Sequence, residues 1–277
     1  MTRRVRDARA AWALVVVLVC ACAARAQAQD EVPFITTPDR VTLAMLELAA
    51  VGAADHVIDL GSGDGRIVIT AARRFGASGL GVEIVPDLVL RSRANARAAG
   101  VHERVEFREQ DLFATELGRA SVVTLYLLPE VNLQLRPRLL ALAPGTRIVS
   151  HDWDMGDWQP DRSITIEVPE KSIGREKSSR VHLWQVPARI GGVWCAAGGA
   201  RLEIAQRFQR YSGTLTAAGA SLTAAPLAVF DGRLEGRSMH VDPPSALRLE
   251  LGTNDVVVRT PDGSAARFAR AANERCG

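Results

Sequence analysis

The chain has 277 residues, enough for one large domain or two smaller ones, and its 47% hydrophobic and 23% charged content is that of a globular protein with a sizeable core. Its formal charge of +3 comes from the start of the chain: residues 1–28 carry five Arg and one Asp, which leaves residues 29–277 at −1. Lysine is confined to Lys171 and Lys177 and no arginine cluster is interleaved with aromatics, which argues against a nucleic-acid partner.

The first element is a leader. Arg3, Arg4, Arg6 and Arg9 precede an apolar run from Ala10 to Ala24, and small-x-small cleavage options follow at Ala24-Arg25-Ala26 and Ala26-Gln27-Ala28. The run is shorter than the roughly 20 residues of a membrane-spanning helix, so residues 1–28 are expected to be a secretory signal peptide and the protein periplasmic or extracellular. The alternative is a leader retained uncleaved as a membrane anchor. Beyond it the cysteines are Cys195 and Cys276, which have no metal-ligand neighbours, and no metal site is expected. In an oxidising compartment they can pair, closing a loop that is worth roughly 4–5 kcal/mol in the chain-entropy model.

From Pro38 to about Pro187 helical and strand periods alternate. PDRVTLAMLELAAV is an amphipathic helix with Val41, Met45 and Leu48 on one side. HVIDLG is a buried strand, GRIVITAARRFG a helix stopped by Gly76, GLGVEI a second strand, and PDLVLRSRANARAAG a helix bounded by Pro86 and Gly100. VEFREQD and SVVTLYLL are a third and fourth strand. EVNLQLRPRLLALA is a helix in which Pro137 predicts a kink or break, and GTRIVSHDW is a fifth strand. SITIEVP and RVHLWQVP alternate by twos around a polar turn and form a hairpin. The expected fold is α/β, a Rossmann-like sheet of seven strands, mostly parallel, spanning residues 29–188.

From about residue 189 to 277 the helical period is gone. Short alternating runs (RLEIAQRF, LAVFDGRLEG, ALRLELG, DVVVRTPDG) with turn signals at Asp231-Gly232 and Asp262-Gly263 predict a small antiparallel β barrel or sandwich. Trp194 and Phe208 are expected as its core anchors.

The chemistry concentrates in VIDLGSGDGRI. Asp59 ends the first strand, and Gly61, Gly63 and Gly65 let the backbone turn sharply and approach a ligand closely. Asp59 and Asp64 sit poorly beside a pyrophosphate, for which helix amides are normally left free. A sulfonium and an ammonium suit them. Glu83, at the end of the second strand, is placed for ribose hydroxyls, and Asp111, at the end of the third, for an adenine amino group. This set selects S-adenosylmethionine over NAD. The competing interpretation is that these carboxylates only cap helices.

The stretches DLGSGDGRIVI, GLGVEI, QDLF, LYLLP and PGTRIVS resemble class I (seven-β-strand) S-adenosylmethionine-dependent methyltransferases. They are most similar to the branch containing the mitochondrial ATP synthase c-subunit lysine N-methyltransferases and their bacterial relatives. The likeness runs from about Pro33 to Trp158; GDGRIVI and YLLP are its more branch-specific parts. It implies that the PFITTP segment, near Thr36 to Pro38, closes over the cofactor. The expected cofactor contacts are Thr37, Asp59, Gly61, Ser62, Gly63, Gly65, Glu83, Asp111 and Leu112.

The implied activity is methyl transfer to a protein lysine, on a soluble or membrane-associated substrate. The second interpretation is an exported, non-catalytic S-adenosylmethionine-binding module whose β region recruits a partner. Methyl transfer needs alignment and exclusion of water more than an acid–base pair. Residues following the fourth and fifth strands are the acceptor-side candidates, because ligands bind at the carboxyl ends of such sheets. Tyr126, Pro129, Glu130 and Asn132 come from one loop, His151, Asp152 and Trp158 from the other. Tyr126, Asn132, His151 and Asp152 are the expected catalytic group. Tyr126 could instead pack within its strand, His151 be a structural histidine, and Trp158 cap the hairpin. Asp154 and Asp157 are expected as solvated turn residues.

Overall fold

Strands buried on both faces and helices with apolar faces turned to them build a three-layer first half. In the computed structural model, which describes residues 35–171, 176–216, 227–242, 247–260, 263–272 and 276, the elements follow in chain order. They are α1 (Asp39–Leu48), β1 (His56–Leu60), α2 (Arg66–Phe75), β2 (Ser78–Glu83), α3 (Pro86–Ala98), β3 (Val105–Glu109), a 3-10 turn at Leu112–Ala114, β4 (Val122–Leu125), α4 (Pro129–Leu140), β5 (Arg147–His151), β6 (Arg162–Glu167) and β7 (Ser178–Gln185). The leader expected at residues 1–28, like Asp262, lies outside the described residues.

The sheet order is β3-β2-β1-β4-β5-β7-β6, with β1 to β5 parallel and β7 antiparallel to β5 and β6. Successive residues feed opposite faces. Val57, Val122 and Val149 pack under α1 and α2 with Val41, Met45 and Ile67. Ile58, Val123 and Ile148 pack on the other face against Leu135 and Leu139 of α4. Each such side chain contributes roughly 1.5–3 kcal/mol on leaving water. The chain order reverses between β1 and β4, so the crevice opens at their carboxyl ends.

Three local expectations need correction. The expected third and fourth strands stop earlier, at Glu109 and Leu125, so Asp111 and Tyr126 lie beyond the strand tips. Helix α4 continues through Pro137 to Leu140: proline removes a single hydrogen bond near the last turn, and buried Leu135 and Leu139 hold the helix on the sheet. Asp231-Gly232 is not a turn but lies within β11 (Leu227–Glu235). Gly232 pairs there with Tyr211, and a Cβ on it would collide with the Tyr211 ring.

The second sheet holds β8 (Gly192–Cys195), β9 (Arg201–Arg207), β10 (Arg210–Thr216), β11, β12 (Ser238–Asp242), β13 (Arg248–Leu251), β14 (Asp255–Arg259) and β15 (Ala265–Arg270). Its antiparallel order, β12-β11-β10-β9-β8-β15-β14-β13, brings consecutive strands β12 and β13 to the two edges, a nearly closed barrel. Trp194 is buried in its core, as expected, whereas Phe208 packs half-buried against the core of the first sheet because the β9–β10 turn carries it there. At the short β8–β15 seam, where Cys195 pairs with Ala269 and Trp194 with Arg270, a disulfide joins Cys195 to Cys276.

Candidate active site

The glycine loop leaves the tip of β1 with φ of 78°, 53° and 81° at Gly61, Gly63 and Gly65, a left-handed run that side chains resist. A Cβ on Gly65 would lie 2.6 Å from the Phe107 ring. The loop's amides are directed into the protein. Gly61 and Ser62 both donate to the Val82 carbonyl (2.9 Å each), Gly63 donates to Glu83 Oε2 (3.0 Å), and Gly65 to the Ser62 carbonyl (2.8 Å). The Arg66 amide donates to Asp64 Oδ1 (3.3 Å), so the start of α2 also offers no N–H at Arg66 to an anion. This is the reverse of a pyrophosphate cradle.

Carboxylates surround the loop instead. Asp59 is 2% exposed and accepts a hydrogen bond from Thr124 Oγ1 (2.7 Å). Burial pushes its carboxyl up to about 7, against the Thr124 hydrogen bond and with help from the charges of Glu83 and Asp64. Asp64 is the opposite case: burial raises it, but the hydrogen bonds and charge of Arg66 bring it below the ordinary carboxylate range. Arg66 grips Asp64 through Nε (2.9 Å) and Nη2 (2.7 Å) and reaches the Thr37 carbonyl with Nη1 (2.8 Å). Glu83 Oε1 takes the amides of Ile84 (2.8 Å) and Val85 (3.1 Å), and with Gly63 on Oε2 one lone-pair site is left, on Oε2. Asp111 Oδ1 caps the 3-10 turn through the Phe113 amide (2.8 Å), with Leu112 half-buried beside it. Capping and display thus coexist in Glu83 and Asp111. Ile84, next to Glu83, and Phe113, two residues after Asp111, are exposed apolar side chains.

The residues expected on the acceptor side meet where β4 and β5 end. Tyr126 stacks on His151, ring centroids 3.9 Å apart and 26° between planes. His151 is fully buried, with Nδ1 3.3 Å from Thr37 Oγ1 and Nε2 2.9 Å from Ser179 Oγ. Burial pushes its pKa down to about 4, outweighing Asp152 and aided by Lys171, so the ring is neutral at physiological pH. Burial, with the charge of Asp152, raises the Tyr126 phenol. Asp152, at φ 62°, accepts from the Arg180 amide (2.9 Å) and from Lys171 Nζ (2.8 Å).

Asn132 sits one layer behind. Its fully buried amide donates toward Ser150 Oγ (3.3 Å) and the carbonyls of Trp153 (3.4 Å) and Asp154 (3.3 Å). Pro129 is half-buried and Glu130 exposed at the start of α4. Trp158 departs from expectation. It is fully buried between Trp184 and Phe208, away from the crevice, because the β5–β6 loop turns inward at Met155. Asp157 is an exposed turn residue, as expected, and Arg136 and Arg207 both pair with it. The expected cofactor residues Thr37, Asp59, Gly61, Ser62, Gly63, Gly65 and Glu83 all belong to one loop-centred cluster. Arg66, which ties that cluster to Thr37, carried no expectation. The only signal for it was its place inside GDGRIVI.

The model for the ANTKMT methyltransferase domain family matches residues 59–162. A protein-lysine N-methyltransferase of Saccharolobus islandicus is 42% identical over 138 residues, 49% of this chain and 86% of that protein. The ATP synthase c-subunit lysine N-methyltransferase of Mus musculus is 38% identical over 108 residues, 39% of this chain and 43% of that protein, so the chain spans less than half the mouse relative's length. Among solved structures, an RNA methyltransferase of Salinibacter ruber in complex with S-adenosyl-L-homocysteine is 52% identical, with a TM-score of 0.52, over 56% of this chain and 96% of that one.

Proposed function

This chain belongs to the class I S-adenosylmethionine-dependent methyltransferases related to the ATP synthase c-subunit lysine methyltransferases, and from that membership we propose that it methylates a lysine side chain of a protein. The observation that carries the site assignment is the inward-turned glycine loop over buried Asp59: it withholds N–H donors from a diphosphate and offers negative charge to a cation. The residues present therefore fit the cofactor. Asp59 would offset its ammonium group, Glu83 would take the ribose hydroxyls, and Asp111 with Ile84 and Phe113 would bound the adenine. Thr37, clipped to Arg66 on one side and His151 on the other, would cover the pocket.

When bound, the cofactor supplies an electrophilic methyl group on a sulfonium. The remaining work is alignment and exclusion of water. A lysine amine must arrive neutral, and with an unperturbed pKa of about 10.4 only about 1 in 2,500 is neutral at pH 7. Tyr126, flattened against neutral His151, offers an uncharged face that favours the neutral amine, and Asp152 lies beside it to take the departing proton through solvent. Asn132 holds the neighbouring backbone in place. The protein works outside the cytoplasm in this proposal. Supporting that location is the Cys195–Cys276 disulfide, since such bonds persist in oxidising compartments.

The test is label transfer. Purified protein is incubated with methyl-tritiated S-adenosylmethionine and the soluble and membrane fractions of a lysate, and labelled proteins are hydrolysed for amino-acid analysis. Methyllysine is expected. Label found in RNA instead, as the name of the Salinibacter relative would have it, overturns the lysine assignment.

A further inference from the structure

The β5–β6 loop, residues 152–161, carries the acceptor-side Asp152 and the exposed indole of Trp153, yet it has almost no regular structure of its own. Lys171 bonds Asp152 at its start, Trp184 Nε1 the Trp158 carbonyl (2.8 Å) and Arg233 Asp161 at its end, and two further sets of side chains hold its middle. From α4, Asn132 bonds the Trp153 and Asp154 carbonyls, and Arg136 bonds the Met155 carbonyl (2.8 Å) and Asp157. The other set comes from the β9–β10 hairpin of the second sheet. Arg207 Nη2 donates to Asp157 Oδ2 (2.9 Å), Gln209 Nε2 donates to the Gln159 carbonyl (2.6 Å), and Phe208 stacks on the buried Trp158 indole at 6.1 Å and 20°. Arg136 also lies over the Phe208 ring, 5.6 Å from its centroid.

Phe208 occupies this place at a cost. It stands at the first position of the two-residue turn between β9 and β10 with φ 53°, a left-handed conformation usual for glycine or asparagine and disfavoured for an aromatic residue. A bulky side chain persists there only when its surroundings over-determine it. Here the surroundings are Trp158, Arg136 and Arg207, all directed at the acceptor loop.

We infer that the β9–β10 hairpin is a positioning element for methyl transfer: Phe208 wedges Trp158 in place and so fixes the loop that presents Asp152 and Trp153 to the acceptor. The second sheet is then part of the transferase's working parts, and not an independent appendage. This role rests on the methyl-transfer function proposed above.

The test compares full-length wild type with Phe208→Gly and Phe208→Tyr. Glycine removes the ring and also relieves the left-handed backbone, so the hairpin itself is not weakened; tyrosine keeps the stack. Hydrogen exchange read by mass spectrometry should rise at least tenfold in peptides covering residues 152–158 of Phe208→Gly, with β10 and β11 peptides unchanged. S-adenosylmethionine affinity by calorimetry should stay within twofold. Transfer to the lysate proteins labelled by wild type should fall at least tenfold, and Phe208→Tyr should recover most of it. Unchanged exchange in the 152–158 peptides, or an equal loss in the tyrosine variant, overturns the positioning role. A wild type that labels no protein overturns the proposed function alone, and the exchange measurement still decides the coupling.

Discussion

Replacing Asp59 with asparagine tests the electrostatic core of the site. In the native protein the Asp59 carboxyl is pushed from 3.8 up to about 7, so the folded state holds a proton that the unfolded chain has already lost. Stability from this group is complete below pH 3.8 and falls as pH rises toward 7, where the penalty levels off. Three pKa units at about 1.36 kcal/mol each amount to about 4 kcal/mol. His151 acts with the opposite sign. Its pKa is pushed from 6.5 down to about 4, so its stability is complete above pH 6.5 and is lost as pH falls through that window, by roughly 3 kcal/mol. Between about pH 4 and 6.5 the two slopes oppose each other. Asp59→Asn keeps the shape of the side chain and an acceptor for Thr124 but has no proton to lose, so it leaves the His151 slope uncompensated.

Urea denaturation followed by tryptophan fluorescence, without added cofactor, reads the result. The stability difference between Asp59→Asn and wild type should be near zero at pH 4 and grow to about 4 kcal/mol in favour of the variant by pH 7.5. S-adenosylmethionine affinity of wild type should rise over the same range, because the ionised carboxylate is the binding form, and that of the variant should be weaker and flat. Parallel stability profiles, or a variant less stable than wild type at pH 7.5, would refute the assignment of a strained buried carboxylate.

Gly65→Ala forces a Cβ to 2.6 Å from Phe107 at φ 81°. The left-handed cost of about 1–2 kcal/mol and an overpacking cost of about 1–3 should together appear as a loss of about 2–5 kcal/mol in denaturant titration; a loss under 1 would mean the loop relaxes freely. Reducing the Cys195–Cys276 bond, which spans 81 residues, should cost about 4–5 kcal/mol of stability and leave cofactor affinity unchanged. Peptide mapping of the native protein should recover a Cys195–Cys276 linked pair, and free thiols at both positions would remove this prediction and the support it lends to export.

The parts of this fold legible in advance were those encoded by short-range pattern. Val41, Met45 and Leu48 lie one helical turn apart and are buried on the same side of α1; the hairpin of β6 and β7 follows from alternation by twos. The glycines of the loop after β1 were legible because a left-handed backbone is a local demand on one residue. Errors arose where a neighbour distant in sequence decided the outcome. Asp231-Gly232 carries turn chemistry, but Tyr211 lies across Gly232 and draws the pair into a strand. Trp158 had the look of an acceptor-loop residue until Trp184 and Phe208 enclosed it.

Composition and pattern by themselves determined the two sheet types, the order of strands and helices in the first half, and the carboxylates at successive strand tips. Those features depend on backbone periods and on residues whose preferences act within a few positions. Tertiary structure alone decided that Arg66 would clasp Thr37, that His151 would be buried neutral behind Tyr126, and that a hairpin 50 residues after Asp157 would bond the β5–β6 loop. Such pairings depend on which strand tips the topology brings together, and no local preference specifies that.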